Sequence, residues 1–235
     1  MFPTVVFGFL SNLELAENRL VPTSCRWCST VLILLTACPT VCPLDSLVAA
    51  TPANQLTEGE RRGHWKLLFD GRSTAGWRNY RKTSIGEGWT VKDAALVRSG
   101  RGAGDIITKG QYEYFELSLE YRISKGGNSG IMFHVTEQES TPWRTGPEIQ
   151  VQDNVDGHDP QKSGWLYQLY KPTKPAWARR FEKQVGFTSP EVDDATRPVG
   201  HWNHVYLRVH PNQCEVAVNG VSYYYFQKGN KEWDA

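Results

Sequence analysis

Ten consecutive residues, Tyr114 to Ile123, read YFELSLEYRI. Phe115, Leu117, Leu119, Tyr121 and Ile123 fall on one side of a two-residue repeat, and Tyr114, Glu116, Ser118, Glu120 and Arg122 on the other. Only an extended strand with one buried face keeps such a set together; a helix would scatter it around its axis. The same period recurs in HWNHVYLRVH (201–210), where Val205, Leu207 and Val209 point inward. GIMFHV (130–135) follows a Gly-Gly-Asn-Ser turn. CEVAVNG (214–220) ends in Asn-Gly, a strong hairpin signal, and VSYYYF (221–226) supplies the return strand. Short alternating strands with almost no helical periodicity predict an all-β, antiparallel two-sheet sandwich. Apolar residues make up 40% of the chain, enough for a core, so global disorder is excluded. A formal net charge of +1 argues against a nucleic-acid partner, which needs a clustered basic surface.

The first fifty residues read differently. Arg26 precedes CSTVLILLTAC, an apolar run too short to span a bilayer but suited to the core of an export signal. The small residues of SLVAATPA offer a cleavage site after Ala50. Leu35-Thr36-Ala37-Cys38 offers an alternative, a lipoprotein box with a lipid anchor on Cys38. The expected organisation is therefore a leader (1–50), a polar linker or short helix (51–63) and one domain (64–235), in a protein exported to the periplasm or the extracellular space. Glu14 and Glu17 are unusual before a signal, and a start codon placed too far upstream would account for them. Cys25 and Cys28 have a C-x-x-C spacing open to two readings, a zinc site or cysteines of a removed leader. The main domain holds only Cys214, so it has no disulfide framework.

Candidate chemistry centres on GPEIQVQDN (146–154). Ile149 and Val151 share one face; Glu148, Gln150 and Gln152 share the other, about 7 Å apart in succession. Carboxylate and amide groups in a row suit sugar hydroxyls, which both donate and accept hydrogen bonds, while a merely solvated face would show the same alternation. Asn128-Ser129-Gly130 reads as a turn, and His134 as a packed or hydrogen-bonded histidine as readily as a catalyst. Asp153, Asp156 and Asn154, with His158 close by, offer oxygen ligands suited to a divalent cation but lack a calcium-loop spacing, so no metal or other cofactor is predicted. Trp65, Trp77 and Trp89 are core candidates; Trp143, Trp165 and Trp177 lie in loops, where an indole can stack on a pyranose ring. No Ser-His-Asp motif, phosphate loop or H-E-x-x-H stands in the chain.

HWKLLFDGRSTAGW (64–77), EGWTVKDAALV (87–97), YFELSLEYRI, GGNSGIMFHV, GPEIQVQDN and GHWNHVYLRV occur in an order that resembles the 3-keto-disaccharide hydrolase domain family, over about residues 60–226. The resemblance implies a concanavalin-like jelly roll, usually exported, that hydrolyses glycosides already oxidised at carbon 3. It implies Glu148 as base or substrate ligand, with His134, in a place where many members carry Arg, as a second catalytic candidate. It also implies Asn128, Ser129, Gln150, Asp153 and Tyr167 as substrate-binding residues. The alternative is a non-catalytic, lectin-like carbohydrate-binding module on the same fold. One departure stands out. Family members continue into a last strand, where this chain stops at KGNKEWDA, so the sandwich is expected to lack its C-terminal strand and, if that strand is central, to show open edges.

Overall fold

A computed structural model of the protein describes residues 4–9, 13–22, 53–100, 102–167 and 194–228. Two strands come first, β1 (Thr4–Phe9) and β2 (Leu13–Pro22). A short helix, α1 (Glu58–Arg62), follows in the stretch read as a polar linker or short helix. It forms there because Thr57 and Glu60 make a reciprocal capping box: the Thr57 hydroxyl accepts from the Glu60 N–H at 3.1 Å, and the Glu60 carboxylate accepts from the Thr57 N–H at 2.6 Å. The chain then runs through β3 (Lys66–Leu67), β4 (Trp77–Asn79), β5 (Trp89–Lys92), β6 (Ala95–Arg98), β7 (Ile106–Thr108), β8 (Phe115–Ile123) and β9 (Asn128–Val135). A 3₁₀ turn (Pro142–Arg144) precedes β10 (Glu148–Gln152) and β11 (Leu166–Tyr167), and β12 (Asn203–Val209), β13 (Gln213–Val218) and β14 (Val221–Gln227) close the described chain.

The strands form two antiparallel sheets. One has six strands in the order β11-β10-β9-β1-β7-β4; the other has eight, in the order β14-β13-β12-β8-β2-β6-β5 with β3 beside β2. The alternation of β8 is realised in full: Phe115, Leu117, Leu119, Tyr121 and Ile123 are each at most 4% exposed. Leu117 and Leu119 stand opposite Leu207 and Val205 of β12. From the other sheet Ile106, Ile131, Phe133, Ile149 and Val151 complete the same core. Burial of such side chains stabilises by about 1.5–3 kcal/mol each and holds the two sheets face to face. Trp77 and Trp89 belong to this core, and their indole N–H groups donate to Leu68 O (2.8 Å) and Gly104 O (3.1 Å). Cys214 is a free, buried thiol.

The open edges expected from a missing last strand do not occur between the described strands, because β1 fills the place between β9 and β7, and β2 the place between β8 and β6. Both strands lie inside the stretch assigned to a leader. The apolar run with Cys25, Cys28, Cys38 and Cys42, the Ala50 cleavage position and Trp177 lie outside the described residues. Among the described residues no helix is long and apolar enough to cross a membrane.

β9 contains a bulge that re-aims its side chains. Val6 of β1 stands opposite Met132 and Thr4 opposite Val135, so β9 holds one residue more than its partner there, and His134 takes a left-handed φ of 56°. Met132 and Val135 consequently meet Ile107 and Tyr80 in a small apolar cluster separate from the main core.

Candidate functional site

The outer face of the six-stranded sheet is assembled row by row from the register. Tyr167 of β11, Glu148 of β10 and Met132 of β9 stand side by side. The next row holds Gln150, Gly130 and Gly8 of β1, and the following one Gln152 and Asn128. Phe7 pairs with Ile106, so Asp105 lies at the level of Gly8. Two glycines next to each other in mid-sheet leave a floor without side chains, bordered by Glu148, Gln150 and Asp105.

Glu148 uses that space. Its side chain lies across Gly130, where a Cβ would overlap the carboxylate and sit 2.7 Å from Cγ. The sequence reading took Gly130 as a turn residue. It is instead an in-strand glycine whose missing side chain admits the acid of the neighbouring strand. Burial, then the negative charges of Asp159 and Asp105, raise the Glu148 carboxyl to a pKa of about 7. Such a group is poised to take and return a proton near neutral pH.

Gln150 is 2% exposed. Its side-chain oxygen accepts from the Val151 N–H at 3.0 Å. Its backbone is clamped from below: the Gln150 N–H donates to Trp165 O (2.9 Å), and Gln150 O accepts from Gly164 N–H (2.7 Å) and Ser163 Oγ (3.3 Å). Ser163 in turn bonds the Tyr121 hydroxyl at 2.7 Å, tying the groove strand to the opposite sheet. Trp165 stacks on Tyr224 at 5.5 Å and 17°, so this loop indole is packing, not a platform. Trp143, 53% exposed beside Arg144, is the open one.

The predicted site residues therefore divide. Glu148, Gln150, Tyr167 and Asn128 share one face. Ser129 does not join them: it is 3% exposed and alternates onto the inward side with Ile131 and Val151. Asp153 is spent on the backbone, accepting from Gly126 N–H (2.9 Å) and Val155 N–H (3.0 Å). Burial opposes its charge, yet these bonds and one from Asp156 hold its pKa below the usual carboxylate value. Gln152 is likewise engaged, donating to Asp159 O (2.9 Å) and Gln161 O (2.6 Å). It fixes the loop that carries Asp159.

The bulge separates His134 from Glu148. Its ring packs on Phe133 at 5.5 Å, and Nε2 donates to Glu113 O at 2.8 Å. Burial, then the Lys228 ammonium, lowers its pKa to about 4, so it is neutral at physiological pH. Glu113 precedes β8 and Lys228 follows β14, both strands of the opposite sheet, so the imidazole is directed away from the groove face. The oxygen groups considered for a cation are also committed: Asn154 Oδ1 accepts from Ser163 N–H (2.8 Å), and Asp156 pairs with Lys125 (3.6 Å). Among the described residues no three His, Cys, Asp or Glu side chains are grouped to hold a metal ion.

An antiparallel jelly-roll sandwich of the concanavalin-like kind, with a buried carboxyl in a polar row on one sheet face, is the class of protein these features define. The chain belongs to the 3-keto-alpha-glucoside-1,2-lyase-like domain family, which it matches over residues 64–235. It is 28% identical over 184 residues, 71% of its length, to a 3-keto-disaccharide hydrolase of Bacteroides thetaiotaomicron, and spans 59% of that relative's length. It is also similar to a crystal structure from Parabacteroides distasonis provisionally assigned as a glycosyl hydrolase, with a TM-score of 0.62 and 29% identity, over 77% of this chain and 80% of that one.

Proposed function

We propose that this protein hydrolyses glycosides that carry a ketone at carbon 3, with Glu148 as the base. The observation that carries the reading is the Glu148 carboxyl, seated over Gly130 beside Gln150 and Tyr167 and titrating near pH 7. A ketone at carbon 3 acidifies the hydrogen on carbon 2. Glu148 takes that proton, and the electron pair of the C2–H bond forms an enolate with the carbonyl oxygen. The enolate re-forms the ketone as the C1–O bond breaks, giving an enone and an alkoxide that leaves with the proton from Glu148. Water then adds across the double bond, its oxygen to carbon 1 and a proton to carbon 2, so the sum is hydrolysis. A single base suffices, in contrast to the two carboxylates of ordinary glycosidases. The Gln150 amide, with Asn128 and Tyr167, supplies donors for the enolate oxygen and the ring hydroxyls. Exposed Trp143 offers an indole face for stacking.

The test is turnover of a 3-keto-glucoside by Glu148→Gln, which keeps the shape and removes the base. Loss of at least a hundredfold in kcat with binding retained is expected. Full turnover by the variant sinks the assignment. Binding by the native chain with no ketone-dependent release of sugar would instead favour a lectin-like module.

A further inference from the structure

Each sheet contains one strand from the start of the chain, and in neither sheet is it at an edge. β1 pairs with β7 on one side and β9 on the other. β2 pairs with β8 along its whole length, and with β6 through Glu14 and Leu15 and β3 through Arg19 and Leu20 on its other side. The chemistry of the register agrees with this placement. Leu13, Leu15, Leu20 and Pro22 stand opposite Ile123, Tyr121, Leu117 and Phe115, inward positions of β8, with Asn18 opposite Leu119 among them, while Glu14 stands opposite outward Arg122. In the other sheet Phe7 stands opposite inward Ile131 and Ile106. In β2 a slip of one residue would set Leu13, Leu15 and Leu20 against the polar, outward positions of β8.

We propose that residues 4–9 and 13–22 are a structural strand pair that closes both sheets, although they lie outside residues 64–235, over which the family match runs. Without them β9 and β7 would face one another across two strand spacings, about 10 Å, as would β8 and β6, too far for a backbone hydrogen bond. Five strands, β7 and β9 beside β1 and β8, β6 and β3 beside β2, would lose a ladder partner. Gly8 would leave with them, and with it half of the glycine floor beside Glu148. That floor role rests on the proposed function; the closure of the sheets does not. The proposal also opposes the leader reading of residues 1–50, since cleavage after Ala50 would remove the middle strand of each sheet.

Hydrogen exchange on the full chain, its intact mass verified, tests closure without any activity assay. Amides of residues 5–8 and 14–21 should exchange as slowly as those of β8 and β9; complete exchange of both segments within the dead time overturns the proposal. A protease site inserted between residues 23 and 52 gives a second reading. After cutting, the N-terminal fragment should co-elute with the remainder, and its forced removal should abolish cooperative melting. A fragment that elutes alone from a remainder with unchanged melting temperature overturns the proposal as well. Gly8→Val tests the floor: an affinity loss of at least tenfold for a 3-keto-glucoside with the same exchange protection is expected. Unchanged affinity in a chain whose turnover still depends on Glu148 removes the floor role and leaves the function standing.

Discussion

A carboxyl group in a dry place needs a reason not to stay protonated, and Glu148 is set between the two states. Burial, then the charges of Asp159 and Asp105, decide its titration. Asp159→Asn should lower the Glu148 pKa. The charge goes, while the bond that the Asp159 side chain accepts from Gln161 N–H at 2.8 Å is kept by the new amide oxygen. The acidic limb of kcat/KM should then move to lower pH, raising the value at pH 6 about twofold and leaving the alkaline plateau unchanged. Gly130→Ala should act by space alone. The atoms that a new methyl meets belong to the end of a flexible side chain, so Glu148 should swing outward toward solvent. Turnover should fall at least tenfold, with stability changed by less than about 1 kcal/mol in chemical denaturation. A large stability loss would show that Gly130 serves the strand rather than the acid.

Among the elements, the loop from Asp153 to Tyr167 carries the site by being fastened from beneath. Ser163 is fully buried between the Tyr121 hydroxyl and Gln150 O. Ser163→Ala should cost about 1–3 kcal/mol in thermal melting, because it strands a buried phenol, and adding Tyr121→Phe should recover part of the loss. This fastening also shows what the sequence could and could not disclose. The strand faces of β8, β10 and β12 were legible because a buried face imposes strict alternation, and the row Glu148, Gln150, Gln152 was legible for the same reason. Which members of the row were free was not: Gln152 and Gln150 are identical in type and pattern, and only the loop brought over Gln152 occupies its amide. His134 misled because alternation from Met132 predicts the groove face, and a single bulge reverses it. Ser129 and Asp153 stood in the right motifs, but one alternates inward and the other caps backbone. β1 and β2 were not legible because the apolar run after Arg26 reads as the core of an export signal, which makes everything before it a leader.

For the molecule as a whole, Glu148 and His134 oppose each other in stability. Glu148 ionises at about 7 instead of the ordinary 4.5, so the folded state holds an extra proton between these values and loses stability as pH rises through them. His134 ionises at about 4 instead of 6.5, so the folded state holds one proton fewer, and stability is lost as pH falls from 6.5 toward 4. Between about pH 4.5 and 6.5 the two slopes cancel, each on the order of 3 kcal/mol over its full range. Thermal melting should therefore be nearly flat across that window for the native chain. Glu148→Gln should become more stable with rising pH there, and His134→Asn, which tolerates the left-handed backbone, less stable. Flat profiles for both variants would remove the linkage.

The placement of β1 also sets a timetable. Its partner Ile107 lies about a hundred residues later in the chain than Val6, and Met132 later still. At a synthesis rate of about 5–20 residues per second, β1 leaves the ribosome roughly five to twenty seconds before a neighbour exists for it. The sandwich cannot be zipped from successive hairpins; its middle is laid first and its flanks are built around it. Such distant pairing makes folding slow, on the millisecond-to-second side of the range for small domains. An apolar strand is kept waiting in the meantime, and a holding chaperone has its clearest opening there.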